Sequence, residues 1–249
     1  MNITELLRQC KESKQTKLDL SGQKLRMLPD ELFGLKHLEE LILDGNELVE
    51  IPEEIGNLTK LVHLSLGRND IVELPATIGK LKKLKILYVG YNMLDALPPE
   101  IGELAELDKL NASKNSLGDL PEEIGNLPKL TQLSLHDNIV AELPASVGKL
   151  KALRKLYLDN NALTSLPEEI GDLKKLHELI LSGNQLRALP ESIGEMTALE
   201  ELVVDDNQLA SLPESLADAP ALKVISAHDN PLASLPRRLK AKKDLKIDL

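Results

Sequence analysis

Aromatic side chains are nearly missing from this chain of 249 residues. There is no tryptophan, one phenylalanine (Phe33) and three tyrosines, Tyr88, Tyr91 and Tyr157. A core without large rings must close on aliphatic side chains, which pack well when they recur in fixed columns. Cysteine occurs once, at Cys10. That excludes an intramolecular disulfide and favours a reducing compartment, so the cytoplasm is the expected location. No apolar run is long enough to span a bilayer, and the first residues lack a basic region followed by an apolar stretch, so neither a membrane span nor a secretory signal is expected. Cations are outnumbered, 30 Lys and Arg against 40 Asp and Glu, giving a formal net charge of −10. Phosphate binding needs clustered cations, so nucleic acid is not the expected partner.

What the chain has is a period. Asparagine returns every 23 residues at Asn46, Asn69, Asn92, Asn115, Asn138, Asn161, Asn184, Asn207 and Asn230, and Gln23 stands one step earlier. One supersecondary unit has been copied ten times without insertion or deletion, so each unit packs on its neighbours and the length does not set a domain count. Within the unit, Leu-x-Leu pairs such as Leu64 and Leu66 alternate in and out and read as a short strand with leucines inward. The asparagine sits where the chain leaves that strand. Stacked amides there are expected to satisfy the backbone of neighbouring turns as a structural ladder. A proline follows in all ten units, from Pro29 to Pro236, and suits the first position of a helical turn. Glutamates after it, as in Pro121-Glu122-Glu123, favour the N-terminus of a short helix. The recurring glycines, Gly56 to Gly194, mark where that helix ends or approaches its neighbour closely.

The spacing Leu127-x-x-Leu130-x-x-Leu133-x-Leu135-x-x-Asn138-x-Val140 resembles the leucine-rich repeat, whose unit runs about 20–29 residues. The Leu-Pro-x-x-Ile-Gly-x-Leu segment narrows the likeness to the intracellular class of Ras-suppressor proteins, Scribble-type scaffolds, plant Ras-group repeat proteins and the repeat region of Roco proteins. Bacterial repeat proteins use close variants. The resemblance implies an α/β fold: a right-handed solenoid, or horseshoe, with a parallel β-sheet on the concave face and short α or 3₁₀ helices on the convex face. It implies partner binding through the concave face, often in signalling, and carries over no active site, metal or cofactor.

An open solenoid needs covered ends. Residues 1–16 are read as an N-terminal helical cap, with Ile3, Leu6, Leu7 and Cys10 at helical spacing and Asn2 and Glu5 placed as a capping box. Residues 17–236 hold the ten repeats. Residues 237–249 form a basic C-terminal cap, where Ile247 and Leu249 are placed to start one last partial strand.

Between the inward leucines, residues must face the concavity. The candidate partner-binding residues are Ile42, His63, Ile86, Tyr88, Tyr91, Asn111, His136, Tyr157, Asp159, Glu178, Ile180, Glu201, Val203, Asp205, Asp206 and His228. Solvent-facing aromatics are enriched at binding hot spots. Two outward apolar groups are expected, Ile86 with Tyr88 and Tyr91, and Tyr157 with Ile180 and Val203. The acids beside the second group point to a partner with a basic surface. His63, His136 and His228 recur three or four repeats apart, too far to share a metal or a triad, and no HExxH, paired-cysteine or nucleophile-elbow pattern occurs. The reading is therefore a monomeric, non-enzymatic scaffold that binds a protein, with a small GTPase or a component of its pathway suggested by the resemblance. A microbial effector acting on host proteins, an engineered consensus scaffold and a regulatory portion of a larger enzyme are the alternatives.

Overall fold

The computed structural model describes residues 3–249. Among the described residues, eleven three-residue strands run in parallel in one sheet, in chain order. They are β1 (Lys17–Asp19), β2 (Glu40–Ile42), β3 (His63–Ser65), β4 (Ile86–Tyr88), β5 (Lys109–Asn111), β6 (Gln132–Ser134), β7 (Lys155–Tyr157), β8 (Glu178–Ile180), β9 (Glu201–Val203), β10 (Val224–Ser226) and β11 (Lys246–Asp248). The register keeps equivalent positions opposite one another, as in Leu41↔Leu64 and Leu64↔Leu87. A unit of constant length can do this only if every coil follows the same path. Each central leucine then stacks on its equivalent, and the first and third residues of every strand face outward on the concave side.

Opposite the sheet, the described residues form nine five-residue 3₁₀ segments, from Asp30–Gly34 to Glu214–Asp218, along the convex side, and the last repeat has a short α-helix, α2 (Arg237–Lys240). The prolines sit one residue earlier than their sequence context predicts. They precede the turn in an extended conformation, as at Pro52 (φ −64°, ψ 151°). From there the carbonyl accepts the first bond of the turn, Ile55 N–H to Pro52 O at 3.0 Å. The core between the two walls is a column stack of leucine and isoleucine: Ile124, Leu127, Leu130, Leu133, Leu135 and Val140 of one repeat are all fully buried. Each such side chain contributes roughly 1.5–3 kcal/mol.

The first helix, α1 (Ile3–Ser13), buries Leu7 and Cys10 against the open end of the first repeat. The Cys10 thiol donates to Gln15 O at 3.4 Å, and burial raises its pKa, so it is a packing residue rather than a nucleophile. Asn2, half of the expected capping box, lies outside the described residues. At the other end Arg238 pairs with Asp218, the Arg237 and Arg238 amides donate to the Glu214 carboxylate, and Lys242 donates to Ala219 O.

The amides tie coil to coil. Asn138 Nδ2 donates to Ala112 O of the preceding repeat (3.1 Å) and to Leu135 O of its own (2.8 Å), and its Oδ1 accepts from Leu117 N–H (3.0 Å). The same cross-repeat bonds recur from Asn46 to Asn230. The asparagines thus bridge backbones rather than one another. Gln23, with no repeat before it, is exposed and reaches only Ser21 O at 3.2 Å. The residue preceding each ladder position carries a positive φ in all ten repeats, whether glycine (Gly22, Gly45, Gly183) or not (Arg68, Tyr91, Lys114, Asp137, Asn160, Asp206, Asp229). That left-handed step swings the next amide inward.

The convex glycines are there for clearance. A Cβ on Gly125 would lie 2.4 Å from Ser146 O of the next repeat. Lysines also cross this surface: Lys82, Lys151 and Lys174 each pair with an acid one repeat on, and each also donates to the carbonyl of that acid.

Two outcomes follow. Asn138→Ala leaves buried backbone groups unpaired and should cost about 2–4 kcal/mol in urea unfolding, while Gln23→Ala should stay within about 0.5 kcal/mol. Gly125→Ala should cost about 1–3 kcal/mol through overpacking. Gly118, with open space and no positive φ, should accept alanine without loss, gaining about 0.5 kcal/mol from a less flexible unfolded chain.

Candidate functional site on the concave face

The concave surface is built by four outward positions per repeat: the first and third strand residues, the residue two beyond, and the left-handed residue before the ladder. Strands about 4.8 Å apart place successive repeats side by side, so each position forms a row.

Over repeats seven to nine the third-residue row is apolar. Tyr157 pairs with Ile180, and Ile180 with Val203, in the parallel register. All three are half-buried. Tyr157 is also tied down: its hydroxyl donates to Glu178 at 2.7 Å, and Lys155 Nζ lies 2.7 Å from the other carboxylate oxygen. Lys155 first, and Tyr157 after it, hold the Glu178 carboxyl below its usual range. Burial, and then the hydrogen bond to the Glu178 carboxylate and its charge, push the Tyr157 phenol up. A shallow cavity of about 340 Å³ opens beside this cluster, lined by Arg154, Lys155, His177, Glu178, Glu200 and Glu201.

The tyrosines of the first expected group have different neighbours. Tyr88 meets His63 edge-on, with ring centroids 5.5 Å apart. Tyr91 stands in the left-handed turn, 44% exposed, with Arg68 on one side (4.7 Å to the ring centroid) and Lys114 on the other (4.9 Å). Lys114 continues to Asp137 (3.5 Å), and Asp137 accepts from Asn160 (2.8 Å). A row of side chains thus runs from Arg68 to Asn160 along the rim. The recurrence of Gly, Asp and Asn at this position was the sequence signal for it; the arginine, tyrosine and lysine in the same row hid it.

Other candidates serve the chain's own backbone or one another. Asp205 accepts from Ser226 Oγ (2.7 Å) and His228 N–H (2.8 Å), and the His228 ring lies 3.2 Å away. Asn111 Oδ1 accepts from the Ser113 amide (3.0 Å) and hydroxyl (2.7 Å). His136 Nδ1 lies 3.0 Å from Asp137. His63 Nε2 is buried without a partner. Ile42 and Ile86 are half-buried on β2 and β4. In contrast, the side chains of Asp159, Glu201 and Asp206 make no hydrogen bond or ion pair among the described residues. No cluster of His, Cys, Asp and Glu there is arranged to hold a metal.

The Tyr157–Glu178 pair gives a spectroscopic handle. In the wild type one phenol should ionise above the ordinary tyrosine range in an alkaline ultraviolet titration. Glu178→Gln removes the carboxylate charge and should bring that phenol part of the way down, burial keeping the remainder. Three superimposable phenols in the wild type would contradict the geometry.

Comparison with known proteins agrees with this architecture. A family model described as a leucine-rich repeat region matches residues 18–118, 63–138 and 146–245. Among solved structures, a leucine-rich-repeat protein of Leptospira interrogans is 33% identical, with 99% of this chain and 68% of that one covered (TM-score 0.85). The leucine-rich effector YopM of Yersinia pestis is 29% identical, covering 94% and 60% (TM-score 0.77). A plant peptide hormone receptor, RGFR1, in complex with RGF2, is 29% identical, covering 91% and 42% (TM-score 0.67). This chain therefore spans between about two fifths and two thirds of these proteins. No match is found among curated proteins. No helix among the described residues is long and apolar enough to cross a membrane. With the repeat model matching across most of its length, the chain belongs to the leucine-rich-repeat family, whose members are in the main non-enzymatic protein-binding scaffolds.

Proposed function

We propose that this chain is a protein-interaction scaffold that holds a partner protein on its concave sheet, with repeats seven to nine as the anchor. The supporting observation is the in-register row Tyr157–Ile180–Val203, an apolar strip on an outward face bordered by the unpaired acids Asp159, Glu201 and Asp206. Apolar anchors ringed by charge are the usual composition of a binding hot spot, and the acids would draw in a basic surface. Asp205 and Glu178, occupied within the chain, serve as supports rather than contacts. The likeness to intracellular repeat proteins makes a small GTPase, or a component of its pathway, the first partner class to try, in the cytoplasm and with the scaffold as a monomer. A second reading, an effector acting on a host protein, draws on the similarity to the Yersinia pestis effector.

The test is capture from lysate with the wild type beside a Tyr157→Ala/Ile180→Ser/Val203→Ser variant whose fold is checked by circular dichroism. Proteins retained by the wild type should fall by about tenfold or more on the variant, since hot-spot truncation costs at least about 2 kcal/mol. A folded variant that retains the same proteins at the same yield would remove the concave strip from consideration.

A further inference from the structure

The concave surface is electrically divided. Over the four outward positions, repeats three to five carry Arg68, Lys109 and Lys114 and no acid. Repeats eight to ten carry Glu178, Glu201, Asp205, Asp206 and Asp229 and no lysine or arginine. In a chain of net charge −10, a cationic region free of acids stands out from its surroundings. On the convex side some charges pair from repeat to repeat, as in Lys82–Glu103, Lys151–Asp172 and Lys174–Glu195. Among the described residues, the two concave poles leave charges without an ionic partner: Arg68 and Lys109 at one end, Glu201, Asp206 and Asp229 at the other. Two cations of the first pole are also pre-positioned, because Arg68 and Lys114 both lie against the Tyr91 ring. Between the poles, repeats six and seven carry the uncharged Gln132, Ser134 and Tyr157 together with Asp137, Lys155 and Asp159, of which Asp137 pairs with Lys114 and Lys155 with Glu178.

We propose that the concave face is an oriented receptor for a bipolar segment of a partner protein, which seats carboxylates on repeats three to five and lysine or arginine on repeats eight to ten. This rests on concave docking as proposed above and adds its polarity. Repeats four and nine are five strand spacings apart, about 24 Å. The segment must therefore separate its acidic and basic groups by about 24 Å, or about seven residues of extended chain. Opposite charges at the two ends fix which way round the partner lies, because the reversed orientation sets like charge against like at both poles.

The probe is a synthetic peptide with a glutamate block and a lysine block joined by about eight prolines, a stiff spacer of about 3.1 Å per residue. A second probe has a spacer of about two prolines, too short to reach both poles. A donor dye sits on the glutamate end, and an acceptor on a Lys11→Cys variant of the full chain, Cys10 being buried. At low salt the long probe should bind with strong energy transfer, and the short probe about tenfold more weakly. Arg68→Glu/Lys109→Glu and Glu201→Lys/Asp206→Lys should each weaken the long probe by about tenfold. Combining all four substitutions should restore affinity and lower the transfer, because the glutamate end now lies at the far pole. Equal binding of both probes, or a fourfold variant that does not recover, overturns the proposal. If the Tyr157→Ala/Ile180→Ser/Val203→Ser variant weakens the probe while the half-swaps do not, polarity alone falls. If no concave substitution changes binding, concave docking falls with it.

Discussion

An asparagine side chain can serve two successive coils only when both coils pass it at the same height and angle. Asn138 donates to a carbonyl in each of two repeats and accepts an amide from the earlier one. These groups are buried, so missing any of them leaves a polar atom without water or partner. An inserted or deleted residue would displace them all. That requirement underlies the unbroken spacing of 23 residues, the parallel sheet in constant register and the left-handed residue before every ladder position. It also explains why non-glycine residues such as Arg68 and Lys114 tolerate a conformation that costs about 1–2 kcal/mol: the bonds made by the next residue offset it.

The two walls are constrained unequally. On the convex side, glycines give room for the next turn's backbone, and lysines bridge one turn to the next. Little there can change without disturbing a neighbour. On the concave side, two of the three side chains of each strand face outward. Variation collects there, and with it the tyrosines, the aliphatic row and the separated charges. Even so, part of that surface is internal support. Glu178 holds Tyr157 in place, and Asp205 secures the start of the next turn, so the number of acids facing a partner is smaller than the sequence implies.

Much of this was legible because the period repeats each rule many times. Leucine columns, ladder asparagines and close-approach glycines follow from spacing and from the few residues that can fill each place. Some readings went astray where a residue's neighbours in space decide its role. The prolines fell one residue from their expected position because their extended ψ lets the carbonyl, rather than the missing N–H, define the turn. Gln23, one step before the first ladder asparagine, lacks the preceding coil that would give its amide buried partners. Tyr88 and Tyr91, three residues apart, found different neighbours because one ends a strand and the other occupies the turn.

The sequence by itself determined the coil, its length, its inward and outward positions and the kinship to leucine-rich repeats, since all of these are properties of one unit multiplied. Only the tertiary structure decided which outward charges are neutralised and which are left over. Side chains 21 or 23 residues apart become neighbours by stacking: Lys155 reaches Glu178, and Arg68 and Lys114 reach Tyr91. Those contacts depend on the length and direction of individual side chains across a gap of about 4.8 Å between strands, a quantity that no spacing along the chain expresses.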